Sequence, residues 1–135
     1  MKGIPEEDSA MHYTGTCHCG AVAFAFDAEL DELVRCDCSL CGKRNALMAT
    51  VPKDNFRLTR GDQALHLYRW NSGVALHYFC GTCGIYVYHQ RRSNPALLSV
   101  NACCIDGFDP ESLPLRRVDG KSMTTVVSGN DGANL

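Results

Sequence analysis

Hydrophobic and polar residues alternate in short runs along this chain, which is the pattern of β-strands and not of amphipathic helices. Residues 21–28 (AVAFAFDA) alternate large and small apolar side chains, and residues 45–52 (NALMATVP) form a second run that ends at Pro52. Four further runs predict strands at 63–70, 74–80, 85–92 and 96–105. The sequence therefore predicts a mainly β fold of short antiparallel strands.

Turn residues separate several of these runs. Asn71-Ser72-Gly73 lies between the runs at 63–70 and 74–80 and predicts a hairpin. Asp106-Gly107 and Asp109-Pro110 follow the run at 96–105. Helix-forming sequence is scarce. One short helix is predicted near SLCGKRN (39–45), with Ser39 as its N-cap.

The 135 residues are enough for one domain with its own core. We predict a flexible N-terminal segment at 1–13, a folded domain at 14–119 and a tail at 120–135. The tail is rich in Gly, Ser, Thr, Asn and Asp and is expected to be partly disordered.

The charge of the chain argues against two classes of partner. The formal net charge is −2 and the pI is about 6.2, with no long basic or acidic run, so no nucleic-acid or membrane-surface partner is expected. No apolar stretch approaches the roughly 20 residues of a membrane span. The first residues lack the apolar run of a secretory signal, so we expect a cytoplasmic protein.

Nine cysteines are the unusual feature of the composition. Disulfides are one explanation, but the number is odd and no export signal is present. Pairs spaced i,i+2, such as Cys17 with Cys19 and Cys36 with Cys38, would form badly strained disulfides. Thiols at these short intervals are better explained as metal ligands.

Seven of the cysteines form three groups. These are Cys17-x-Cys19, Cys36-x-Cys38-x-x-Cys41 and Cys80-x-x-Cys83. Zinc takes four thiolates in a closed structural site, or three protein ligands and an open position in a catalytic one. A natural division joins the first and third groups in a closed site and leaves the second as an open site. The second group could instead recruit Cys103 or Cys104, or share a site with one of the pairs.

Three ordered motifs resemble one known family. The runs GTCHCGAV (15–22), CDCSLCGK (36–43) and FCGTCG (79–84) resemble the glutathione-dependent formaldehyde-activating enzyme family, also called the centromere protein V/GFA domain. The similarity extends from about residue 15 to about residue 110. One departure lies in the second motif, where Asp37 replaces a histidine that the family often has.

The resemblance implies a fold, metal sites and a reaction. The fold would be Mss-four-like, the β-tent zinc-binding fold. A structural zinc would bind Cys17, Cys19, Cys80 and Cys83, and a labile or catalytic zinc would bind Cys36, Cys38 and Cys41 as the catalytic residues. The reaction would be of the carbon–sulfur lyase type, which reversibly joins the small-molecule thiol glutathione to the aldehyde formaldehyde as S-(hydroxymethyl)glutathione.

Polar residues beside the second group are candidates for substrate contact. Lys43 and Arg44 would hold a substrate carboxylate, although solvated loop residues are the more common case. Asp37 would orient a proton or receive a substrate amine, or would balance the charge of Arg35.

The remaining candidates have commoner structural explanations. His18 is expected to point away from the zinc that its neighbours bind. The histidines on predicted strands are expected to be partly buried and hydrogen-bonded, and the aromatic residues to pack in the core or across strands. These residues are His66, His77, His89, Trp70, Tyr78, Tyr86 and Tyr88. Cys103 and Cys104 are expected to pack as small apolar residues at the end of a strand.

Two other functions remain open on the sequence. One is a non-catalytic, zinc-stabilised module that binds a thiol or a protein. The other is a purely structural role for all seven cysteines, but one closed site should suffice for a domain of this size, which leaves the second group without a structural need.

Overall fold

A computed structural model describes residues 11–69, 75–91 and 94–118, and the mainly β fold predicted from the sequence is confirmed. The strands are β1 (Met11–Thr16), β2 (Ala23–Ala28), β3 (Leu33–Cys36), β4 (Met48–Pro52), β5 (Phe56–Arg60), β6 (Leu65–Tyr68), β7 (Leu76–Cys80), β8 (Tyr86–Gln90), β9 (Leu97–Asn101) and β10 (Leu115–Val118). One α-helix, α1 (Ser39–Arg44), follows β3. Three 3₁₀ turns lie at Lys53–Asn55, Ala102–Cys104 and Pro110–Ser112.

The strands form two sheets. The small sheet has the order β1-β2-β5 and the large sheet has the order β10-β3-β4-β9-β8-β7-β6. In the small sheet β1 pairs with β2 in antiparallel register from Met11↔Ala28 to Thr16↔Ala23. Strand β2 is central and almost wholly buried, which explains why its sequence, AFAFDA, is nearly all apolar.

The hydrophobic core combines residues from both sheets. Phe24 and Phe26 of β2 are 1% and 0% exposed and stack with Phe56 of β5. Phe56 in turn contacts Tyr88 of the large sheet at a ring-centroid distance of 4.6 Å. The other core side chains come mainly from the centre of the large sheet and include Ala49, Val51, Val87 and Val100. This core fixes the relative position of the two sheets, and with it the cysteines at their ends.

Several predicted elements are confirmed with shorter bounds. The run at 21–28 contains β2, and the predicted hairpin is present as β6 paired with β7, from Leu65↔Cys80 to Tyr68↔His77. Its turn at 71–73, together with Trp70, lies outside the described residues. Strands β1, β3, β5 and β10 were not predicted.

Three expectations from the sequence need correction. Residues 11–13, which we assigned to a flexible segment, belong to β1 because they pair with β2. The sheets are not entirely antiparallel, since β10 runs parallel to β3. The run at 96–105 is a strand only to Asn101, where the Asn101 side chain accepts a hydrogen bond from Cys103 N–H and begins a 3₁₀ turn. Residues 1–10 and 119–135, which include the predicted tail, lie outside the described part of the chain.

No helix in the described residues is long and apolar enough to cross a membrane.

Candidate metal centres and an adjoining cleft

The structure brings Cys17, Cys19, Cys80 and Cys83 together into a first cluster, in which every Sγ atom lies within 4.8 Å of the others. Cys17 and Cys19 follow β1 of the small sheet. Cys80 ends β7 of the large sheet, and Cys83 lies in the turn before β8. The cluster therefore joins one end of each sheet.

Tight backbone turns aim N–H groups at these sulfurs. Val22 N–H points at Cys17 Sγ over 3.3 Å, and the N–H groups of Thr82 and Cys83 point at Cys80 Sγ over 3.3 and 3.4 Å. Both turns need a left-handed residue, supplied by Gly20 at φ 83° and Gly84 at φ 80°. Backbone N–H donors favour the thiolate form of a cysteine, the form that binds a metal.

The pKa values of Cys17 and Cys83 show the same preference for thiolate. Hydrogen bonds from the backbone N–H groups of Cys19 and Ile85 lower the pKa of Cys83 to about 6. Burial acts to raise the pKa of Cys17, but the Val22 N–H and the neighbouring Cys19 thiol outweigh it, and the net shift is downward. The Ala21 N–H acts to lower the pKa of Cys19, but burial and the other three thiols outweigh it and raise that pKa to about 11, so Cys19 keeps its proton in the metal-free cluster.

The spacing of the sulfurs fits zinc. A regular tetrahedron with Zn–S bonds of about 2.3 Å has sulfur–sulfur edges of about 3.8 Å. The Cys17–Cys19 and Cys19–Cys80 Sγ distances are 3.7 and 3.8 Å. Four thiols at this spacing, with N–H donors around them, can hold a zinc ion in a closed site.

A second cluster consists of Cys36, Cys38 and Cys41, whose Sγ atoms also lie within 4.8 Å of one another. Cys36 ends β3, Cys38 caps α1, and Cys41 lies within the helix. The helix cap differs from our prediction, because Cys38 and not Ser39 is the N-cap: its sulfur accepts the Cys41 N–H over 3.4 Å. Among the described residues, no fourth His, Cys, Asp or Glu joins this group.

Interactions among the three thiols favour the thiolate form of one of them, Cys38. Hydrogen bonds from the thiols of Cys36 and Cys41 lower the pKa of Cys38 far below its usual value, and the backbone N–H groups of Cys41 and Leu40 act in the same direction. Hydrogen bonds to the Cys36 and Cys38 sulfurs, together with burial, raise the pKa of Cys41, which keeps its proton next to that anion. The donor set therefore suits a soft divalent cation such as zinc with one position left for another ligand.

Arg44 connects the second cluster to its surroundings. It follows Cys41 by three residues on α1, and its Nη2 atom lies 3.6 Å from Cys41 Sγ. The same Nη2 lies 3.2 Å from His77 Nδ1 on β7. The guanidinium carbon stacks 3.7 Å above the ring of Tyr86 on β8. Arg44 is therefore a fixed cation beside the thiols.

A cleft of about 290 Å³ adjoins Arg44. Its polar lining residues are Arg44 and His77, and the rest of the lining is apolar or aromatic: Leu40, Tyr68, Tyr78, Phe79 and Tyr86. The volume lies near the lower limit for a small-molecule site. Because Arg44 contacts both the cleft and Cys41, the cleft and the second cluster are parts of one region.

Buried histidines extend this region into the large sheet. Tyr86 Oη donates to the Ser99 carbonyl oxygen over 3.0 Å and lies 2.7 Å from His89 Nδ1. The His89 and His77 rings are neighbours, with centroids 4.8 Å apart. Burial and, to a lesser extent, the charge of Arg44 lower the pKa of His77 to about 4. Burial and, to a lesser extent, the neighbouring His77 lower the pKa of His89 well below its usual value. Both imidazoles are neutral near pH 7.

Four other sequence candidates do not line the cleft, although Asp37 and Lys43 are neighbours of the second-cluster cysteines in sequence. His18 is exposed, and His66 is exposed on β6 against Phe79. Lys43 is exposed and does not line the cleft. Asp37 is exposed, and its backbone N–H donates to the Val118 carbonyl oxygen.

Three expectations about individual residues are wrong, and the first is the partial burial of His66, which is exposed. Arg44 is half-buried and contacts Cys41, His77 and Tyr86, and so is not a solvated loop residue. Cys103 is exposed in the 3₁₀ turn, while Cys104 is buried as expected. All nine cysteines are free thiols, and seven of them form the two clusters.

Comparison with known proteins places this arrangement in a family. The sequence profile of the glutathione-dependent formaldehyde-activating enzyme family matches residues 12–117, a span that contains both cysteine clusters and the cleft residues. The chain belongs to this family.

A solved structure with a similar sequence also has a similar fold. A crystal structure of a Rhodobacter sphaeroides protein from a structural genomics programme is 43% identical in sequence, with a TM-score of 0.70. The match covers 76% of this chain and 99% of that one. Membership in the family associates the chain with glutathione-dependent formaldehyde activation.

Sequence reasoning missed His77, His89 and Tyr86 as one network. Their alternation in HYF (77–79) and YVYH (86–89) indicates strands, but only the pairing of β7 with β8, at His77↔His89, places the two imidazoles side by side. The sequence did contain a clue to the position of Arg44. It lies three residues after Cys41 in a predicted helix, which places both side chains on one face.

Proposed function

We propose that this protein is a zinc-dependent enzyme of the carbon–sulfur lyase type, which reversibly joins a thiol and an aldehyde, with S-(hydroxymethyl)glutathione as the reference adduct. The observation that carries this proposal is the second cluster, where three thiols meet without a fourth protein donor among the described residues, beside a cleft. Family membership supports the reaction class.

The two clusters would have different tasks. Cys17, Cys19, Cys80 and Cys83 would hold a structural zinc, because they form a complete donor set that links two sheets. Cys36, Cys38 and Cys41 would hold the catalytic zinc. Zinc held by these three residues would supply the positive charge that favours the thiolate form of a substrate thiol.

The reaction would be the addition of a thiol to a carbonyl group. As the adduct forms, the sulfur–carbon bond is made, the carbonyl π bond breaks, and the thiol proton ends on the former carbonyl oxygen. The reverse reaction returns that proton to sulfur and breaks the carbon–sulfur bond. Arg44 would contribute charge balance, since its guanidinium lies 3.6 Å from Cys41 Sγ and offsets the negative charge of the three sulfurs.

We further propose that the reaction takes place in the cytoplasm. Nine free cysteines, seven of them in two ligand clusters, suit a reducing compartment.

The test is exchange between formaldehyde and its glutathione adduct, followed by NMR with the zinc-loaded protein. We expect the wild type to accelerate exchange and Cys36→Ser to lower kcat/KM by more than about 100-fold, because a metal centre of this kind contributes several kcal/mol. Cys103→Ser is the matched control, since Cys103 is exposed and belongs to neither cluster. It should retain full activity.

A thiol-binding module without catalysis is the alternative that this experiment separates. If glutathione binds to the wild type while exchange stays at the uncatalysed rate, the lyase proposal is wrong. Equal exchange rates for the wild type and Cys36→Ser would also contradict it.

A further inference from the structure

Arg91, which follows β8, is a half-buried cation held by neutral partners. Its Nε atom donates to Ser99 Oγ over 2.9 Å, and its Nη2 atom donates to Thr50 Oγ1. Both acceptors are hydroxyl groups, and no Asp or Glu among the described residues forms an ion pair with Arg91. Burial and, to a lesser extent, the charge of Arg116 lower the pKa of Arg91. A bound anion would offset the cost of burying this charge.

Part of the Arg91 guanidinium remains open to a ligand. A guanidinium carries five N–H groups, and the two hydroxyls take one each. Its Nη1 atom forms no hydrogen bond with a described residue. It is also not one of the buried atoms without a partner, which in the described part of the chain are Arg44 Nε and His77 Nε2. The Nη1 group therefore reaches solvent, while Ser99 and Thr50 hold the guanidinium in place.

Arg91 lies on the face of the large sheet that carries the second cluster. Thr50, which it contacts, is two residues after Met48 on β4, and Met48 packs in the core group of the second cluster. The intervening Ala49 belongs to the main core on the opposite face. Side chains two residues apart on a strand are separated by about 7 Å, and an extended tripeptide spans roughly 10 Å. A tripeptide-sized thiol whose sulfur reaches the cluster can therefore place a carboxylate at Arg91.

Two other arginines of this region already have negative partners. Arg44 lies 3.6 Å from Cys41 Sγ in the second cluster. Arg116 Nε donates to Glu32 Oε2 over 2.7 Å. Among these three arginines, Arg91 is thus the one whose described partners carry no negative charge.

We propose that Arg91 binds a carboxylate of the substrate thiol, and that this contact selects carboxylate-bearing thiols of peptide size over neutral and cationic thiols. This inference rests on the proposed function and extends it by assigning the residue that determines specificity for the thiol. Arginine suits the task, because its planar fork of N–H groups matches the two oxygen atoms of a carboxylate.

Calorimetric titration of the zinc-loaded full chain tests the binding. Three thiols serve as probes: glutathione, its diethyl ester, which has both carboxylates blocked, and N-acetylglutathione, which has only the amine blocked. We expect the diethyl ester to bind about tenfold more weakly than glutathione, because it cannot form the charge-assisted hydrogen bond. N-acetylglutathione should bind as tightly as glutathione.

Variants then test whether this preference depends on Arg91. Arg91→Gln removes the charge and should weaken glutathione binding about tenfold without changing the binding of the diethyl ester. Arg91→Lys keeps the charge and should keep part of the preference. A merely structural role would weaken both ligands equally. Arg57→Gln, at an exposed position on the small sheet, is the matched control and should bind both ligands like the wild type.

A measurement on the wild type does not depend on the folding of any variant. The NMR signal of the Arg91 Nε–H group should shift when glutathione or N-acetylglutathione is added, and should stay in place when the diethyl ester is added.

Turnover supplies the last measurement. In the exchange of formaldehyde with glutathione, Arg91→Gln should raise the KM for glutathione about tenfold with little change in kcat. The carboxylate is remote from the reacting atoms, so its contact with Arg91 is equally strong in the bound thiol and in the transition state.

The outcomes separate the two proposals. Equal binding of glutathione and its diethyl ester by the wild type, or equal weakening of both by Arg91→Gln, overturns the inference. The proposed function then stands if the protein still accelerates formaldehyde exchange. A preference for glutathione that depends on Arg91, without accelerated exchange, contradicts the proposed function and leaves Arg91 assigned to the carboxylate of a bound thiol.

Discussion

The first cluster takes its four cysteines from two sheets, whereas the second takes its three from the six residues 36–41. In the first, Cys19 and Cys80 lie 61 residues apart in sequence with sulfurs 3.8 Å apart. Its buried members, Cys17 and Cys80, are 2% and 0% exposed and belong to the main core. The second cluster belongs to a smaller core group with Val34, Met48 and Tyr86.

This contrast in sequence separation indicates which of the two zinc sites would stabilise the fold. A zinc that links distant segments constrains the unfolded chain and adds its binding free energy to folding. A zinc held by one loop and one short helix closes almost no chain, because β3 and α1 already adjoin. We therefore expect the first cluster to control stability and the second to control chemistry.

The largest expected effect is the contrast between Cys80→Ser and Cys36→Ser. Cys80→Ser should destabilise the protein by roughly 5 kcal/mol or more, which is comparable to the whole stability of a typical domain, so much of it should be unfolded. Cys36→Ser should cost less than about 2 kcal/mol. Chemical denaturation followed by circular dichroism measures both.

Cys103→Ser serves as the control for this contrast, with an expected change within about 0.5 kcal/mol. If Cys36→Ser unfolded the protein as severely as Cys80→Ser, the division between the two clusters would be wrong.

This division could be partly predicted from the sequence, because cysteine spacing is local information. The pairs 17/19 and 80/83 and the triplet at 36–41 were evident as ligand groups. Which groups meet depends on the sheets that carry them, and here the count of seven thiols and the family resemblance supplied the grouping that the structure shows.

The cleft could not be predicted in the same way. Its walls come from α1, β6, β7 and β8, so it exists only when the pairing of β7 with β8 sets His77 beside His89. Likewise β10 pairs with β3, which lies about 80 residues earlier in the sequence, and nothing in LRRV (115–118) indicates which strand it pairs with. Strand β5, by contrast, could have been predicted, since FRLTR (56–60) alternates apolar and polar residues.

The next largest effect is a pH dependence of stability that arises from His77, beside the second cluster. Burial and the Arg44 charge lower the pKa of His77 to about 4 in the folded state, against a usual value of 6.5. Below about pH 6.5 the unfolded chain therefore binds more protons than the folded one. The stability from the neutral His77 is complete above that pH and is lost as the pH falls toward 4.

At pH 5 this loss should be about 2 kcal/mol. His77→Phe should remove it, so the stability difference between variant and wild type should change by about that amount between pH 7 and pH 5. Urea denaturation at both pH values, with zinc content measured in parallel, tests this, and a constant difference would show that His77 does not titrate as described.

A smaller effect is expected for Tyr86→Phe, which alters the cleft wall and leaves the cysteines in place. The change removes the hydroxyl that bonds to His89 and the Ser99 carbonyl oxygen but keeps the ring beneath Arg44. We expect a loss of about 1–2 kcal/mol in thermal unfolding, with no change in zinc content. Loss of a zinc from this variant would mean that the hydroxyl network supports the second cluster directly.

The central claim is tested most directly by counting zinc ions while a chelator is added, with native mass spectrometry for the metal and near-ultraviolet circular dichroism for the fold. We predict two steps: one zinc leaves the second cluster while the fold persists, and the other leaves the first cluster only as the protein unfolds. Simultaneous loss of both zinc ions with the fold would contradict the account.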